Sequence, residues 1–161
     1  MADNEKKIKM YFEDLQECTF DAIVETYAYI GEVAVRTARE DHAGNWKDHT
    51  GNLRSSIGYM VTYNGEEVLS NGFMPTKTKE GGTGVEGQAE GKKFIEGLKG
   101  TQSEGFALIV VAGMNYAEYV EAHENRDVLA NAELEARRQL DKMMKRIPEL
   151  VEEKMKNKGW K

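Results

Sequence analysis

The chain has 161 residues, 22 Lys plus Arg against 28 Asp plus Glu for a net charge of −6, and 40% hydrophobic residues. That length argues one domain with a lean core, and no run comes near 18 consecutive apolar residues, so no membrane-spanning helix is predicted. The single cysteine, Cys18, excludes an internal disulfide and a cysteine metal cluster and fits a reducing compartment, while the acidic balance argues against a sequence-specific nucleic-acid binder.

The N-terminal Met-Ala-Asp-Asn-Glu-Lys-Lys lacks the apolar core of a secretory signal, so no leader is expected. Charge is uneven along the chain. Residues 1–43 hold five basic and ten acidic side chains, and residues 127–161 hold nine and seven. Opposite-sign ends can attract each other within one molecule or between neighbours, although solvated helix faces are the commoner origin of such runs.

Over the first 43 residues, Ile8, Tyr11, Phe12, Leu15, Cys18, Ala22, Ile23, Ile30, Val33, Ala34, Thr37 and Ala38 recur mostly at steps of three, four or seven, the helical period. Asp3 or Asn4 caps the start, and Gly44 supplies the stop. A straight helix over 4–43 spans ~60 Å at about 1.5 Å per residue. A compact chain of this length is roughly 40 Å across. The helix therefore breaks, with Gly31 as the break point, or overhangs its domain and offers a surface to another molecule.

Residues 50–57 read as a short turn of helix, capped by Thr50, that enters a strand. Tyr59, Val61 and Tyr63 alternate with Met60 and Thr62, and Asn64-Gly65 is a strong hairpin signal before a returning strand over 66–73. Residues 106–112, Phe-Ala-Leu-Ile-Val-Val-Ala, are the most apolar run and predict a central strand buried on both faces. Gly113 closes it, and Asn115 caps a helix through Tyr116, Ala117, Tyr119 and Val120. The last long element covers about 128–157, with Pro148 kinking it or ending its first part. The tail over 157–161 is expected to fray.

Eight of the 16 glycines fall between 81 and 105. That density argues against a helix or a central strand. Residues 76–105 are therefore read as a flexible Gly-rich loop inserted between the hairpin and the central strand. Its few apolar groups, Val85, Phe94, Ile95 and Leu98, are the part expected to dock on assembly, and deleting 80–103 is expected to leave the monomer folded. Gly82-Thr-Gly84-Val-Glu-Gly87 matches the Gly-x-Gly-x-x-Gly pattern, but a polar stretch precedes it and glycines follow, so no nucleotide cofactor is predicted.

His42, His49 and His123 lack metal-ligand spacing, and Cys18 on an apolar helix face reads as an inert buried thiol. Glu118 and Glu121 read as solvated carboxylates rather than an acid/base pair. No catalytic, cofactor-binding or metal site is predicted. Arg54, flanked by Ser55 and Ser56, is read as salt-bridged, with Glu121 as its partner, in preference to binding an anion.

Two segments taken together resemble tail-completion and head–tail joining proteins of long-tailed bacteriophages and prophages. The first is Thr50-Gly51-Asn52-Leu53-Arg54-Ser55-Ser56-Ile57. The second is a strand ending in Gly113, then Tyr116-Ala117-Glu118-Tyr119-Val120-Glu121. Flanking helices at both ends complete the likeness. Where members of the family often follow the last Glu with an aromatic residue, a glycine and a proline, this chain has Ala122-His123-Glu124-Asn125-Arg126-Asp127.

The resemblance implies a virion structural protein without catalysis. It would be a subunit of a ring, commonly of six, at the neck or upper end of the tail, with neighbouring neck or tail proteins as partners. It would sit in the bacterial host cytoplasm during assembly and then in the virion. Residues and resemblance together give an α+β expectation: a mainly antiparallel sheet of about three or four strands packed by a long N-terminal helix and a C-terminal helix. The competing readings are a cytosolic adaptor outside phage that uses the Gly-rich loop on a partner, and an enzyme using Glu118, Glu121 and His123.

Overall fold

The computed structural model describes residues 2–40, 48–118 and 128–160. Helix α1 (Ala2–Glu40) runs unbroken through Gly31. That glycine is a packing site instead of a break. The ring of Tyr59 lies against its backbone, and a Cβ at position 31 would overlap the ring.

The short helix α2 (Asn52–Ser55) leads into β1 (Ile57–Tyr63), which turns at Asn64-Gly65 into β2 (Glu66–Asn71). Asn64 and Gly65 both adopt positive φ, 52° and 85°, the two-residue turn whose twist suits a hairpin. The third strand, β3 (Phe106–Ala112), pairs with the other side of β1, giving a sheet of order β2-β1-β3 that is antiparallel throughout. The expected α+β architecture is therefore present. The place of the apolar strand is corrected: β1 is central, and β3 is an edge. Helices flank its two faces, yet six of its seven residues stay partly exposed, so it is not the strand buried on both faces that its apolarity predicts.

On one face, Ile57, Tyr59 and Val61 of β1 pack with Ala34, Val35 and Ala38 of α1, and Leu108 and Val110 join them. On the other, Met60, Phe73, Ile95 and Val111 form a second, smaller cluster. Ile95 belongs to helix α3 (Val85–Glu96). The expected loop over 76–105 is thus corrected, since its middle is a helix seated against the sheet. Ile95 is buried and Leu98 packs beside it, while Val85 and Phe94 point outward. Removing 80–103 would strip this core, so the expectation that such a deletion leaves the monomer folded is withdrawn.

The C-terminal region forms α4 (Ala130–Met144) and α5 (Ile147–Asn157). Pro148 lies in the first turn of α5, where a missing N–H breaks no helical hydrogen bond. Both helices pack along α1. The tail is anchored, against the expectation of fraying. Lys158 Nζ lies 2.8 Å from Asp14 and 2.7 Å from Glu17, and Trp160 Nε1 donates to Asp14 Oδ2 at 2.8 Å. The Trp160 ring meets Tyr11 edge-on, and Lys154 pairs with Glu25 at 2.8 Å. The opposite-sign ends of the chain therefore meet within the molecule. Past the Tyr11 anchor, residues 3–10 of α1 are all exposed, with Ile8 at 58%, and Phe12 beside that anchor is exposed at 57%. Of the two alternatives read from its length, the helix overhangs.

Two outcomes are expected. Gly91→Ala should destabilise the protein by about 1–3 kcal/mol in urea titrations, because a Cβ there would collide with the Ser56 backbone and the Phe73 ring. Gly97→Ala, whose nearest neighbour would be a carbonyl 3.4 Å away, should be neutral or stabilise by about 0.5 kcal/mol. The second concerns acid. Hydrogen bonds from Lys158 and then Trp160 hold the Asp14 carboxyl below its ordinary value. Its contribution is complete above the ordinary aspartate range of about 3.9 and is lost as pH falls through the lowered value. The Trp160 indole N–H signal should therefore move towards its unfolded position on acidification while the β1 amides keep theirs.

Candidate functional site

The turn over residues 48–57 is the point on which several elements converge. Asp48 Oδ2 accepts from the Arg54 N–H at 3.0 Å. Gly51, at φ 76°, is the residue before α2, and Thr50 Oγ1 accepts from the Asn52 N–H at 3.2 Å. Thr50 thus serves an N-terminal N–H of the helix, as its capping role anticipated, but from one residue further out. The buried Ser55 hydroxyl donates to Gly51 O at 2.6 Å and accepts from the Thr76 N–H at 2.8 Å. Ser56 Oγ donates to Leu53 O at 2.8 Å.

The second motif segment joins this turn directly. The Gly113 N–H donates to Ser56 O at 3.1 Å, Ile57 pairs with Ala112, and Ala117 enters the cluster of Leu53, Ile57 and Ala34. Tyr116 lies beside Thr50, Asp48 and Glu86. Desolvation first, and then the Asp48 carboxylate, push its phenol above the ordinary value. Thr50, Gly51, Leu53, Arg54, Ser56, Ile57, Gly113, Tyr116 and Ala117, far apart in sequence, are therefore brought together. Tyr119, Val120 and Glu121 lie outside the described residues, and with them the Arg54–Glu121 pairing.

Segment 76–91 closes over the same turn. The Gly82 N–H donates to Thr78 Oγ1 at 2.9 Å, the Gly84 N–H to Thr50 O at 3.1 Å and the Gly87 N–H to Asn52 Oδ1 at 3.2 Å. The Gly-x-Gly-x-x-Gly run does open a helix, contrary to expectation, but no strand precedes it, and the three glycine N–H groups that a phosphate would need are bound by the chain's own oxygens. At Gly84, Gly87 and Gly91 a Cβ would overlap Ser55, Asn52 and Ser56 respectively.

Sequence reasoning missed Arg39. Its Nε donates to Arg54 O at 3.0 Å, and its Nη2 to Ile57 O at 3.2 Å, Gly72 O at 2.5 Å and Met74 O at 3.4 Å. One guanidinium thus joins α1 to the end of α2, the start of β1 and the segment leaving β2. A guanidinium carries five donors and no acceptor, which suits a ring of carbonyls. Burial pulls its pKa down, and the nearby Glu32 carboxylate opposes this. The signal was available: Arg39 lies four residues after Val35, on the apolar stripe.

Of the residues weighed for catalysis, three are described. His49 Nδ1 lies 2.5 Å from Glu80 Oε2 on the surface, Glu118 is exposed, and Cys18 is buried in α1. His42, Glu121 and His123 lie outside the described residues. Elsewhere a groove of about 680 Å³ lies between α1, β3 and α4, lined by Tyr27, Ile30, Phe106, Leu108, Val110 and Leu140 among others. Its lining is mainly apolar, the chemistry of a contact surface more than of a reaction centre. Comparison with known protein families, curated proteins and solved structures finds no match to the chain.

Arg39→Met should cost about 1–3 kcal/mol in urea denaturation, because part-buried carbonyls lose their donor. Arg39→Lys should recover only part of this, since an ammonium cannot span the same carbonyls. Arg36→Met, at an exposed position of α1, should change stability by no more than about 0.5 kcal/mol.

Proposed function

We propose that the protein is a non-catalytic structural subunit of a bacteriophage or prophage virion, acting at the head–tail junction or the tail terminus. It assembles in the bacterial cytoplasm with neighbouring neck or tail proteins and forms a closed homo-oligomeric ring. The observation that carries this reading is the convergence of the two motif segments. The Thr-Gly-x-Leu-Arg-x-Ser-Ile turn and the Gly113-x-x-Tyr-Ala segment resemble one family in sequence, and they hydrogen-bond to one another through Ser56 and Gly113. Motifs that arise by chance in sequence have no reason to share one structural junction.

Two surfaces suit ring contacts, which are head-to-tail and therefore use two different patches on each subunit. One is the overhang of α1 with Ile8, Phe12 and Tyr11 exposed; the other is the apolar groove beside β3. The adaptor reading placed its contact on a loop over 76–105, and much of that segment is a helix packed on β1.

The test is co-expression with the proteins encoded on either side of its gene, followed by light scattering and negative-stain electron microscopy. Closed rings bound to a portal, neck or tail-tube protein are expected. Failure to bind any such neighbour, together with a hydrolytic or transfer activity lost in Glu118→Gln, would overturn the proposal.

A further inference from the structure

The two edges of the sheet are built differently. β2 carries Glu66 and Glu67, ends in Ser70 and Asn71, and its pairing with β1 shifts register at Val61/Thr62. Charges and irregularities of this kind stop an edge strand from pairing with another chain. β3 has none of them. It holds no charge and no proline, and its register with β1 is unbroken over seven residues. Among the described residues, no backbone hydrogen bond is made on its outer side. Six of its seven residues are partly exposed.

We infer that β3 is a self-pairing edge: two copies join β3 to β3, antiparallel, about a two-fold axis at Ile109, the middle residue of the strand, to give one six-stranded sheet. Charge selects this edge. Joining β2 to β2 would gather the Glu66 and Glu67 carboxylates of both copies into one seam, whereas β3 against β3 brings no charge together. The nearest charges at the rim of the groove, Glu133 and Arg137 on α4, are paired with each other at 2.8 Å, so they set no like charges against a second copy. Phe106, Leu108 and Val110 lie on the α1 side of the sheet, and the groove beside them takes the same three side chains of the second copy. The inference rests on the sheet alone, not on the virion reading; it fills the groove named above as a ring contact, so a ring of such dimers joins them through the α1 overhang and a patch other than that groove.

Single cysteines placed in the full-length protein test it, and the native Cys18 is buried. Directly opposed residues in an antiparallel pair lie about 4.5–5.5 Å apart at Cα, within disulfide range. On mild oxidation Ile109→Cys should give covalent dimer roughly ten-fold more readily than Phe106→Cys or Ala112→Cys alone. A mixture of Phe106→Cys and Ala112→Cys should cross-link to each other. Ala107→Lys should keep the circular dichroism of the parent and convert a dimer to a monomer by light scattering. A parent protein that stays monomeric at every concentration, or cross-linking that ignores position, would overturn the inference. Rings in which Ile109→Cys does not cross-link would overturn it while leaving the virion reading standing; dimers linked at Ile109 that never bind a phage neighbour would support it and count against that reading.

Discussion

At Gly84, Gly87, Gly91 and Gly113 the chain packs main chain or small polar side chain against main chain, with no room for a Cβ. This close approach seats α3 on the turn that starts β1. It also places Ile95 over Met60, Phe73 and Val111, closing the smaller of the two cores. On the opposite face the sheet meets α1 at another glycine, Gly31, under the ring of Tyr59. β1 is thus clamped between two helices that each come near at a residue without a side chain. Its near-complete burial follows, and so does the position of the motif turn at its start.

Arg39 holds the remaining side of that turn. Its carbonyl partners come from α2, β1 and the segment after β2, three pieces that no backbone ladder joins at this point. A guanidinium directed at carbonyls instead of a carboxylate makes a junction of fixed shape. Loss of the donor would leave oxygens of all three pieces facing inward without compensation. The motif turn is therefore fixed from three directions: by Arg39, by the glycine-bearing helix α3, and by the Gly113 N–H.

Much of this was legible beforehand. The spacing of Cys18, Ala22, Ile30, Ala34 and Ala38 placed α1, Asn64-Gly65 placed the hairpin, and Pro148 marked the division of the last helical region. The length arithmetic correctly left an overhanging helix as an option. What misled was the meaning of glycine. A high local count was taken as chain freedom, yet Gly87 and Gly91 stand four apart, on one face of a helix, where they permit contact. Periodicity of apolar residues does not reveal such a face, because the signal lies in what is missing. The strand over 106–112 lies at an edge and is half-buried for a related reason: the apolarity of a run says neither whether a strand lies on each side nor how fully its faces are covered. The described motif residues, from Thr50 to Ile57 and from Gly113 to Ala117, meet at one junction, while Arg39 escapes notice when charge is read as surface.

The central claim is that the glycine-rich stretch is packed structure continuous with the core. Amide hydrogen exchange measures this directly at Gly84 and Gly87, whose N–H groups are bound to Thr50 and Asn52, and along α3. The account predicts protection there within about ten-fold of the amides of β1, the pattern of one cooperative unit. Exchange at the rate of an unstructured chain over 82–96, with β1 still protected, would contradict it and return the segment to a loop.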